Sequence, residues 1–326
     1  MIASARSPRS IPPPRAEPGG GAILITGICG RLGKRTARVL HRTRAVVGVD
    51  RRPFPEKPKD VVHVQVDIRR KKLKDVFRAG PIDAVVHLGV MHDPRASDAE
   101  HHAWNVAGFA KLLEYVDHFD VPKLVVMSSA NVYGPQPGNA QFLSEEAPLL
   151  GGARFSAIRD LVEVDMLAQS FLWKRPGTET VILRPVHILG TVHNAASNFL
   201  RLPTIPTLLG FDPMVQVISE QDVVGAIACA LAPGKRGIYN VAGPAPAPLS
   251  RIIRILGRPS LPMPYSLGRA VLKRLWSLRL TSFPAPELDH IRYVCMVDDR
   301  RAKEDLGYTP ATSIEDTVLG VEELLW

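Results

Sequence analysis

Six short apolar runs constrain the fold of this chain more than any other feature of its sequence. They are AILITG (22–27), AVVGVD (45–50), VHVQV (62–66), DAVVHLG (83–89), KLVVMSS (123–129) and TVILRP (180–185). β-Branched runs without polar alternation are typical of strands buried on both faces of a parallel sheet. Helical patterns between the runs, such as RLGKRTARVLHRT, supply the crossovers. The sequence therefore predicts an α/β fold with a doubly wound parallel sheet.

The segment TGICGRLG (26–33) leaves the first run and opens a helical pattern. Gly27, Gly30 and Gly33 let the backbone turn tightly, approach a pyrophosphate and pack the helix on the sheet. Asp50 ends the second run, 23 residues after Gly27, where a carboxylate can accept hydrogen bonds from ribose hydroxyls. Together these residues predict a Rossmann-like dinucleotide site.

The residues around Asp50 also bear on the choice of dinucleotide. The carboxylate would repel a 2′-phosphate, so NAD is favoured over NADP. Arg51 and Arg52 follow immediately and could reverse that preference, so NADP is not excluded.

Composition along the chain predicts two folded units. The 326 residues, 45% of them apolar, are enough for a cofactor domain and a smaller one. The first 21 residues carry Arg and Pro where a signal peptide needs an apolar stretch, and we expect a disordered tail there. Beyond about residue 190 proline density rises and strand patterns thin out. We expect an NAD-binding Rossmann domain over 22–190, to which 216–242 returns, and a C-terminal substrate domain of 191–215 and 243–326.

Ten short segments occur in the order that one known family shows. They are TGICGRLG, VVGVD, VQVDI, VVHLGV, WNVAGFAKLLE, VVMSSANVYG, VILRPVHILG, ISEQDVVGAI, GIYNVAG and DLGYTP. From Gly21 to the C-terminus the sequence resembles the extended short-chain dehydrogenase/reductases, also called NAD-dependent epimerase/dehydratases. The resemblance implies a nicotinamide cofactor and a small-molecule substrate.

The resemblance also implies a set of cofactor-binding residues. Asp67 and Ile68 would flank the adenine, Leu88 and Gly89 would line the central part of the cofactor, and Asn105 would lie in the helix beside the active site. The full set is Gly27, Cys29, Gly30, Arg31, Leu32, Gly33, Asp50, Arg51, Asp67, Ile68, Leu88, Gly89, Asn105, Ser128 and Arg159.

The family's catalytic residues are only partly matched. The family uses a Tyr that exchanges a proton, a Lys one helical turn later that lowers the pKa of that Tyr, and a Ser or Thr that holds the reacting oxygen. Ser129 matches the last of these, but Phe155 and Arg159 stand at the Tyr and Lys positions. Phe155 cannot exchange a proton, while Arg159 can still donate to ribose hydroxyls. We therefore expect either a packing residue beside a cofactor clamp or a compensated active site.

Several side chains could compensate for the missing phenol. Tyr133 is the nearest phenol to Ser129 in sequence, although the resemblance favours a structural role for it. His87, His92, His187 and His193 lie on or just after strand ends at the carboxyl edge of the sheet. We take His92 and His187 as the candidates that face the substrate, and expect a lone histidine more often to be structural.

The motif after the catalytic hydroxyl argues against one reaction of the family. Its sugar-nucleotide dehydratases carry an Asp-Glu pair there, because elimination of water needs an acid on the leaving oxygen. Ala130 and Asn131 occupy those positions. Sugar-nucleotide epimerases often place an Asn where this chain has His187, so a nucleotide-sugar substrate has no positive support in the sequence.

The net charge of +9 is concentrated in one segment. Residues 251–280 carry seven basic residues and no acidic one, whereas the run RRKKLK (69–74) lies between aspartates and is typical of a solvated helix start. In SLGRAVLKRLWSLRL (266–280) an apolar stripe of Leu267, Val271, Leu275 and Leu278 accompanies Arg269, Lys273 and Arg274. The stripe indicates either a packed helix of the substrate domain or a surface for an anionic ligand or membrane. No motif indicates nucleic-acid binding.

Three hypotheses about function remain open. The first is a cytoplasmic NAD-dependent dehydrogenase or epimerase with a rearranged acid/base group, acting on an alcohol, a ketone or a sugar-type molecule. The second is a weakly active or inactive NAD-binding sensor or scaffold. The third is an enzyme or adaptor that faces lipid. Three distant cysteines indicate a reducing compartment without disulfides or a zinc site, and we expect no metal. The sequence leaves the oligomeric state open, with a homodimer as one option.

Overall fold

The computed structural model describes residues 20–91, 97–153, 156–192, 195–278 and 285–321, and it confirms the predicted doubly wound parallel sheet. The strands are β1 (Ala22–Thr26), β2 (Val46–Asp50), β3 (Val62–Gln65), β4 (Ile82–His87), β5 (Lys123–Met127), β6 (Glu179–Pro185), β7 (His187–Leu189), β8 (Ile205–Leu208), β9 (Met214–Val215), β10 (Val217–Ser219), β11 (Gly237–Val241), β12 (Ala247–Pro248) and β13 (Ser260–Met263). The α-helices are α1 (Arg31–Leu40), α2 (Leu73–Arg78), α3 (Asp98–His102), α4 (Gly108–His118), α5 (Ser156–Lys174), α6 (Glu220–Ala230), α7 (Leu249–Leu256), α8 (Tyr265–Ser277) and α9 (Ile314–Leu319). Short π-helical segments span Ala103–Ala107 and Ala302–Leu306, and 3-10 turns span Ala130–Val132, Gly151–Ala153, Ala195–Arg201 and Ala285–Ile291.

The central sheet has seven strands in the order β11-β6-β5-β4-β1-β2-β3, and all neighbouring strands are parallel. All six predicted runs form strands of this sheet, and β11 adds a seventh at its edge. The chain runs outward from β1 to β3 and then places β4 on the other side of β1. Open α/β sheets bind ligands at the carboxyl ends of the strands where the order reverses in this way. We therefore expect a ligand to bind at the loops after β1 and β4.

Each face of the sheet covers its own apolar core, which explains why the strand patterns are continuously apolar. Along β1, Ile23 and Ile25 point into one cluster, while Ala22 and Leu24 point into the other. Helices on both faces complete the two clusters. Burial of both faces is the arrangement that an all-parallel sheet requires.

A third core joins the C-terminal elements. Ile205 of β8, Ile252 of α7, Leu272 of α8 and Ile314 of α9 contribute to it. These elements come from the segments predicted to form the substrate domain, whose boundaries stay a prediction. No helix within the described ranges is long and apolar enough to cross a membrane.

The predicted apolar stripe of α8 lies at the surface. Of the four stripe residues, Leu267, Val271 and Leu278 are 55%, 43% and 52% exposed and Leu275 is half-buried, whereas the buried residues of α8 are Gly268 and Leu272. A Cβ on Gly268 would lie 2.7 Å from the sulfur of Met263, so this face of α8 packs closely against β13. The interpretation of the stripe as part of the core is therefore wrong.

Candidate active site

The loop between β1 and α1 packs closely against the segment after β4. Gly27 has a φ of +71°, and a Cβ there would lie 2.7 Å from the Cα of Gly89. A Cβ on Gly33 would lie 2.3 Å from the carbonyl oxygen of Gly27. Only glycine fits at positions 27 and 33 without moving the backbone. The glycine-rich loop and Gly89 are thereby brought together at the point where the strand order reverses.

The N-terminus of α1 is free of side-chain capping. Its N-cap, Gly30, provides no side-chain hydrogen bond, and the first turn contains no acidic residue. The first amides of a helix lack intrahelical acceptors and carry partial positive charge. The backbone at Arg31, Leu32 and Gly33 therefore offers a favourable position for an anionic phosphate.

The carboxylate of Asp50 is tied both to this loop and to Arg52. Asp50 is 4% exposed and accepts hydrogen bonds from the amide of Cys29 at 3.1 Å and from Nε and Nη2 of Arg52 at 3.1 and 3.0 Å. Burial raises the pKa of Asp50, but the hydrogen bonds and charge of Arg52 outweigh it, so the net shift is downward. Asp50 is thus a buried, ionised carboxylate at the end of β2. Burial and the charge of Asp50 raise the pKa of the Cys29 thiol to about 11, so this thiol stays protonated.

Arginines also surround the expected adenine position. Arg69 donates to the carboxylate of Asp67 from Nε at 3.0 Å and from Nη2 at 2.6 Å. Burial raises the pKa of Asp67, but Arg69 outweighs it and lowers the pKa overall. The guanidinium carbons of Arg51 and Arg69 lie 4.8 and 5.2 Å from the ring centre of Trp104, whose indole N–H donates to the carbonyl of Gly89 at 2.8 Å. Trp104 therefore contacts both the arginines near the expected adenine position and the backbone of Gly89.

The segment after β4 is held by one amide side chain. Asn105 is 2% exposed and accepts from the amide of Met91 at 2.7 Å, while its Nδ2 donates to the carbonyl of Met91 at 3.2 Å. Leu88 packs against one core of the sheet, and Ile68 is buried against the other. These contacts fix the backbone around Gly89.

A buried polar network lies beneath the predicted catalytic residues. Ser128 donates to Asp165 at 2.5 Å, and Arg184 donates to both oxygens of Asp165 at 2.9 and 2.7 Å. The hydroxyl of Tyr133 accepts from Arg184 and donates to Asn240, both at 2.8 Å. Burial raises the pKa of Tyr133 to about 12. Nothing around Tyr133 supports the proton-transfer role considered for it, because its hydroxyl already has two fixed partners in the core.

Three glycines bring the Ser129 turn and the start of α5 together. Gly134 has a φ of +75°, and a Cβ on it would lie 2.7 Å from the Cα of Gly151. A Cβ on Gly152 would lie 3.0 Å from the Cα of Arg159. Ser129 is partly buried, and its hydroxyl accepts only a local hydrogen bond from the amide of Asn131 at 3.2 Å. The hydroxyl can therefore still donate to a ligand.

The structure describes one of the two residues that were predicted to stand at the family's Tyr and Lys positions. Arg159 lies one turn into α5, is exposed, and has no hydrogen bond or ion pair with any described residue. Phe155 lies outside the described residues, so the interpretation of that position stays a prediction. The unpaired guanidinium beside the Ser129 turn is available to a ligand.

Two of the four candidate histidines are described: His87 is buried and His187 is half-buried. His87 is 1% exposed, lies against Phe109 and makes a 2.7 Å hydrogen bond through Nδ1 to the hydroxyl of Thr26. His187 lies against His290, and its Nδ1 has no hydrogen-bond partner. Burial lowers the pKa of each to about 4. The contacts of His87 are those of a structural residue, whereas His92 and His193 lie outside the described residues.

Sequence reasoning missed three parts of the site. It assigned RRKKLK wholly to a solvated helix start, whereas Arg69 holds Asp67. It passed over Trp104, although this residue directly precedes Asn105 in the quoted motif. It also did not identify the pair of Asp165 and Arg184, because only the fold brings α5 to β6.

Sequence comparison identifies both a family and individual relatives. A family model described as "NAD dependent epimerase/dehydratase family" matches residues 23–242. An uncharacterised protein of Mycobacterium tuberculosis is 28% identical over 309 residues, which cover 90% of this chain and 81% of that protein. The UDP-glucuronate 4-epimerase of Thermodesulfobacterium geofontis is 31% identical over 148 residues, which cover 40% of this chain and 46% of that enzyme.

Solved structures share the fold over nearly the whole chain. The UDP-glucose 4-epimerase of Thermotoga maritima, crystallised with UDP-glucose, has a TM-score of 0.71 at 16% identity and covers 92% of this chain and 97% of its own. MoeE5, in complex with UDP-glucuronic acid and NAD, has a TM-score of 0.70 at 20% identity with the same coverage, 92% and 97%. At these identities the likeness establishes the fold.

Proposed function

We propose that this chain, which belongs to the NAD dependent epimerase/dehydratase family, is an oxidoreductase that binds NAD. Its substrate would be a sugar-type small molecule that bears an alcohol or a ketone. The observation that carries the proposal is the meeting of three features at the carboxyl ends of β1, β2 and β4. They are the glycine loop packed on Gly89, the uncapped N-terminus of α1 and the buried carboxylate of Asp50 tied to the amide of Cys29. This combination suits a dinucleotide.

The residues present fit NAD part by part. The amides at the start of α1 would receive the pyrophosphate, and Asp50 would receive the adenosine ribose. The amides of Cys29 and Arg52 and the Nε and Nη2 atoms of Arg52 already supply four hydrogen bonds to Asp50, about as many as a carboxylate accepts, so a ribose hydroxyl would replace one of them. Arg159 would donate to the nicotinamide ribose, because its guanidinium has no other described partner. When bound, NAD supplies the hydride acceptor that oxidation of an alcohol needs.

The substrate class is supported by the relatives. The named enzyme among them acts as a UDP-glucuronate 4-epimerase, and the two solved structures hold UDP-glucose or UDP-glucuronic acid. We infer a sugar-type substrate from this, with the hydroxyl of Ser129 donating to the reacting oxygen. Ala130 and Asn131 still argue against dehydration, because neither side chain can protonate a leaving hydroxyl.

The proton-transfer group is the part of the reaction that departs from the family. Tyr133 is fixed between Arg184 and Asn240, and His87 is bonded to Thr26 inside the core. We propose that the proton passes through a group other than these two, with His92 the first residue to test. The alternative is an NAD-binding sensor or scaffold that turns over slowly or not at all.

One experiment separates these functions. The purified full-length chain is titrated calorimetrically with NAD+ and NADH, and its turnover of UDP-glucose and UDP-glucuronic acid is followed by product analysis. Saturable NAD binding with turnover of either sugar supports the oxidoreductase. Binding without hydride transfer to any substrate supports the scaffold. No binding at millimolar NAD or NADH would overturn both.

We also propose that α8 binds an anionic membrane surface. The supporting observation is that Leu267 and Val271 on α8 and Leu278 directly after it are exposed, while Arg269 and Lys273 have no acidic partner among the described residues. Exposed apolar side chains with flanking basic residues are typical of helices that lie in the membrane interface.

A further inference from the structure

Three potential metal ligands meet between α3 and α5, on elements that the sequence keeps far apart. His102 is the last residue of α3, while Asp160 and Glu163 lie three positions apart on α5 and so share a face. Nδ1 of His102 lies 3.6 Å from Oδ1 of Asp160 and 3.7 Å from Oε2 of Glu163. One ligand atom from each residue falls within 4.8 Å of the other two.

The carboxylate of Asp160 is buried without compensation. Its side chain is 2% exposed, and its Oδ1 has no hydrogen-bond partner. Within the described ranges, neither Lys nor Arg forms an ion pair with it. A buried carboxylate that lacks hydrogen bonds is strongly destabilising, so native structures pair it or bind a cation there. Asp160 points toward His102, where a cation would satisfy it.

The separations match metal ligands better than hydrogen-bond partners. Hydrogen bonds between nitrogen and oxygen span about 2.7–3.2 Å, which is shorter than either distance from His102. A tetrahedral ion with ligands at about 2.0–2.1 Å holds those ligands about 3.4 Å apart. The observed 3.6 and 3.7 Å from His102 are close to that separation, while the carboxylate oxygens of Asp160 and Glu163, within 4.8 Å of each other, would close further around an ion.

We propose that His102, Asp160 and Glu163 form a site for a divalent transition metal, with zinc the best match. One imidazole and two carboxylates form a donor set that zinc accepts and that magnesium does not favour, because magnesium selects oxygen ligands. The side chains of His102 and Glu163 are 50% and 47% exposed, so an ion can enter from solvent and keep a water as its fourth ligand.

The ion joins α3 to the second turn of α5. Asp160 directly follows Arg159, so binding fixes the turn that presents this guanidinium to the cofactor site. The site is a positioning element, and its existence does not depend on NAD binding or turnover.

The test is calorimetric titration of the metal-free full-length protein with zinc chloride at neutral pH, with magnesium chloride as the comparison ion. His102→Ala and Glu163→Gln are the test variants, because both side chains are half exposed and their loss leaves the core intact. His118→Ala and Glu114→Gln, at exposed positions of α4, are the matched controls. Thermal unfolding of each variant with and without zinc gives a second readout.

We expect one zinc ion to bind the parent protein and both controls, and to raise their unfolding temperatures. Each test variant should bind zinc at least about tenfold more weakly, since even changes to residues behind metal ligands cost about 10–100-fold. Magnesium at the same concentration should have little effect. Equal zinc affinity in the parent and His102→Ala proteins, or no zinc binding at all, would overturn the proposal.

Discussion

At the scale of single residues, we expect Asp50 and Arg52 to decide the choice of dinucleotide. Arg52 was a candidate to favour NADP, yet its guanidinium is bonded to the very carboxylate that repels a 2′-phosphate. To reach that phosphate it would have to leave a buried, ionised partner. The sequence preference for NAD is therefore strengthened by the geometry of this pair.

We predict that NAD(H) binds more tightly than NADP(H) and that Asp50→Asn narrows or inverts the difference. The change removes the repelling charge and frees Arg52, and a hydrogen bond to a charged group contributes about 1.5–3 kcal/mol, or about 10–100-fold in affinity. Calorimetry with both cofactors measures it, with Asp60→Asn, an exposed partner of His41, as the control. Tighter NADP(H) binding by the unaltered protein would show that the arginines override Asp50.

A second prediction concerns the residues at the Tyr and Lys positions. The double change Phe155→Tyr and Arg159→Lys should raise NAD-linked oxidation of secondary alcohols by about 10²–10⁴-fold, because a positioned acid/base contributes that much. Arg159→Lys alone should change the rate little, since no proton acceptor is added. If the unaltered protein turns over rapidly and the double change abolishes turnover, another group carries the proton.

A third prediction separates structure from catalysis at Tyr133. Tyr133→Phe should lower the free energy of unfolding by about 1–3 kcal/mol, because it leaves the buried amide oxygen of Asn240 without its donor. NAD affinity should be retained. Urea unfolding measures the change, with Tyr308→Phe as the control because its phenol also donates to a buried oxygen, the carbonyl of Ala242. Loss of turnover with unchanged stability would instead identify Tyr133 as a proton carrier.

At the scale of elements, α5 serves the site through different faces. Arg159 is exposed beside the Ser129 turn, Asp160 is buried toward His102, and Asp165 lies in the core with Arg184. The helix is therefore anchored by ion pairs, while the guanidinium of Arg159 has no partner among the described residues.

At this scale we also predict that α8 binds anionic membranes. Binding of the protein to anionic vesicles should weaken steeply with salt and fall when Arg269, Lys273 and Arg274 are changed to Glu, because each basic residue near anionic lipid contributes about 1 kcal/mol. Vesicle co-sedimentation measures it. The same charge reversal at Arg70, Lys71 and Lys72, which are exposed elsewhere, is the control. Equal binding by the two triple variants, or no binding at low ionic strength, would contradict a docking role for α8.

At the scale of the whole molecule, the sequence predicts those features of the fold that depend on local residue patterns. Continuous apolar runs predicted the sheet, and the spacing of Gly27 from Asp50 predicted two features that the fold does bring together. Pattern could not decide which of two adjacent stripes of α8 is buried, because that depends on the face against which the other C-terminal elements pack. It also could not reveal that His102 meets Asp160, since helices distant in sequence form that contact. The expectation of no metal was based on the spacing of Cys and His along the sequence. Such spacing cannot show that residues from distant helices lie close together.

The last prediction concerns acid stability, to which the buried His87 and the half-buried His187 and His290 contribute together. Burial lowers the pKa of His87 and His187 to about 4 and that of His290 to about 3. In the unfolded chain a histidine titrates near pKa 6.5, so between about pH 6.5 and 4 the unfolded state binds more protons than the folded state. The free energy of unfolding should therefore fall as the pH is lowered through this window.

His87→Gln tests this linkage at one position. The variant loses the ring contact with Phe109 and is expected to be less stable at pH 7, but its free energy of unfolding should decline less steeply between pH 6.5 and 4. Urea unfolding at several pH values measures the slope, and His118→Gln is the control because its side chain is exposed. A slope equal to that of the parent protein would mean that His87 is already protonated in the folded state, which its burial beside Phe109 and its hydrogen bond to Thr26 oppose.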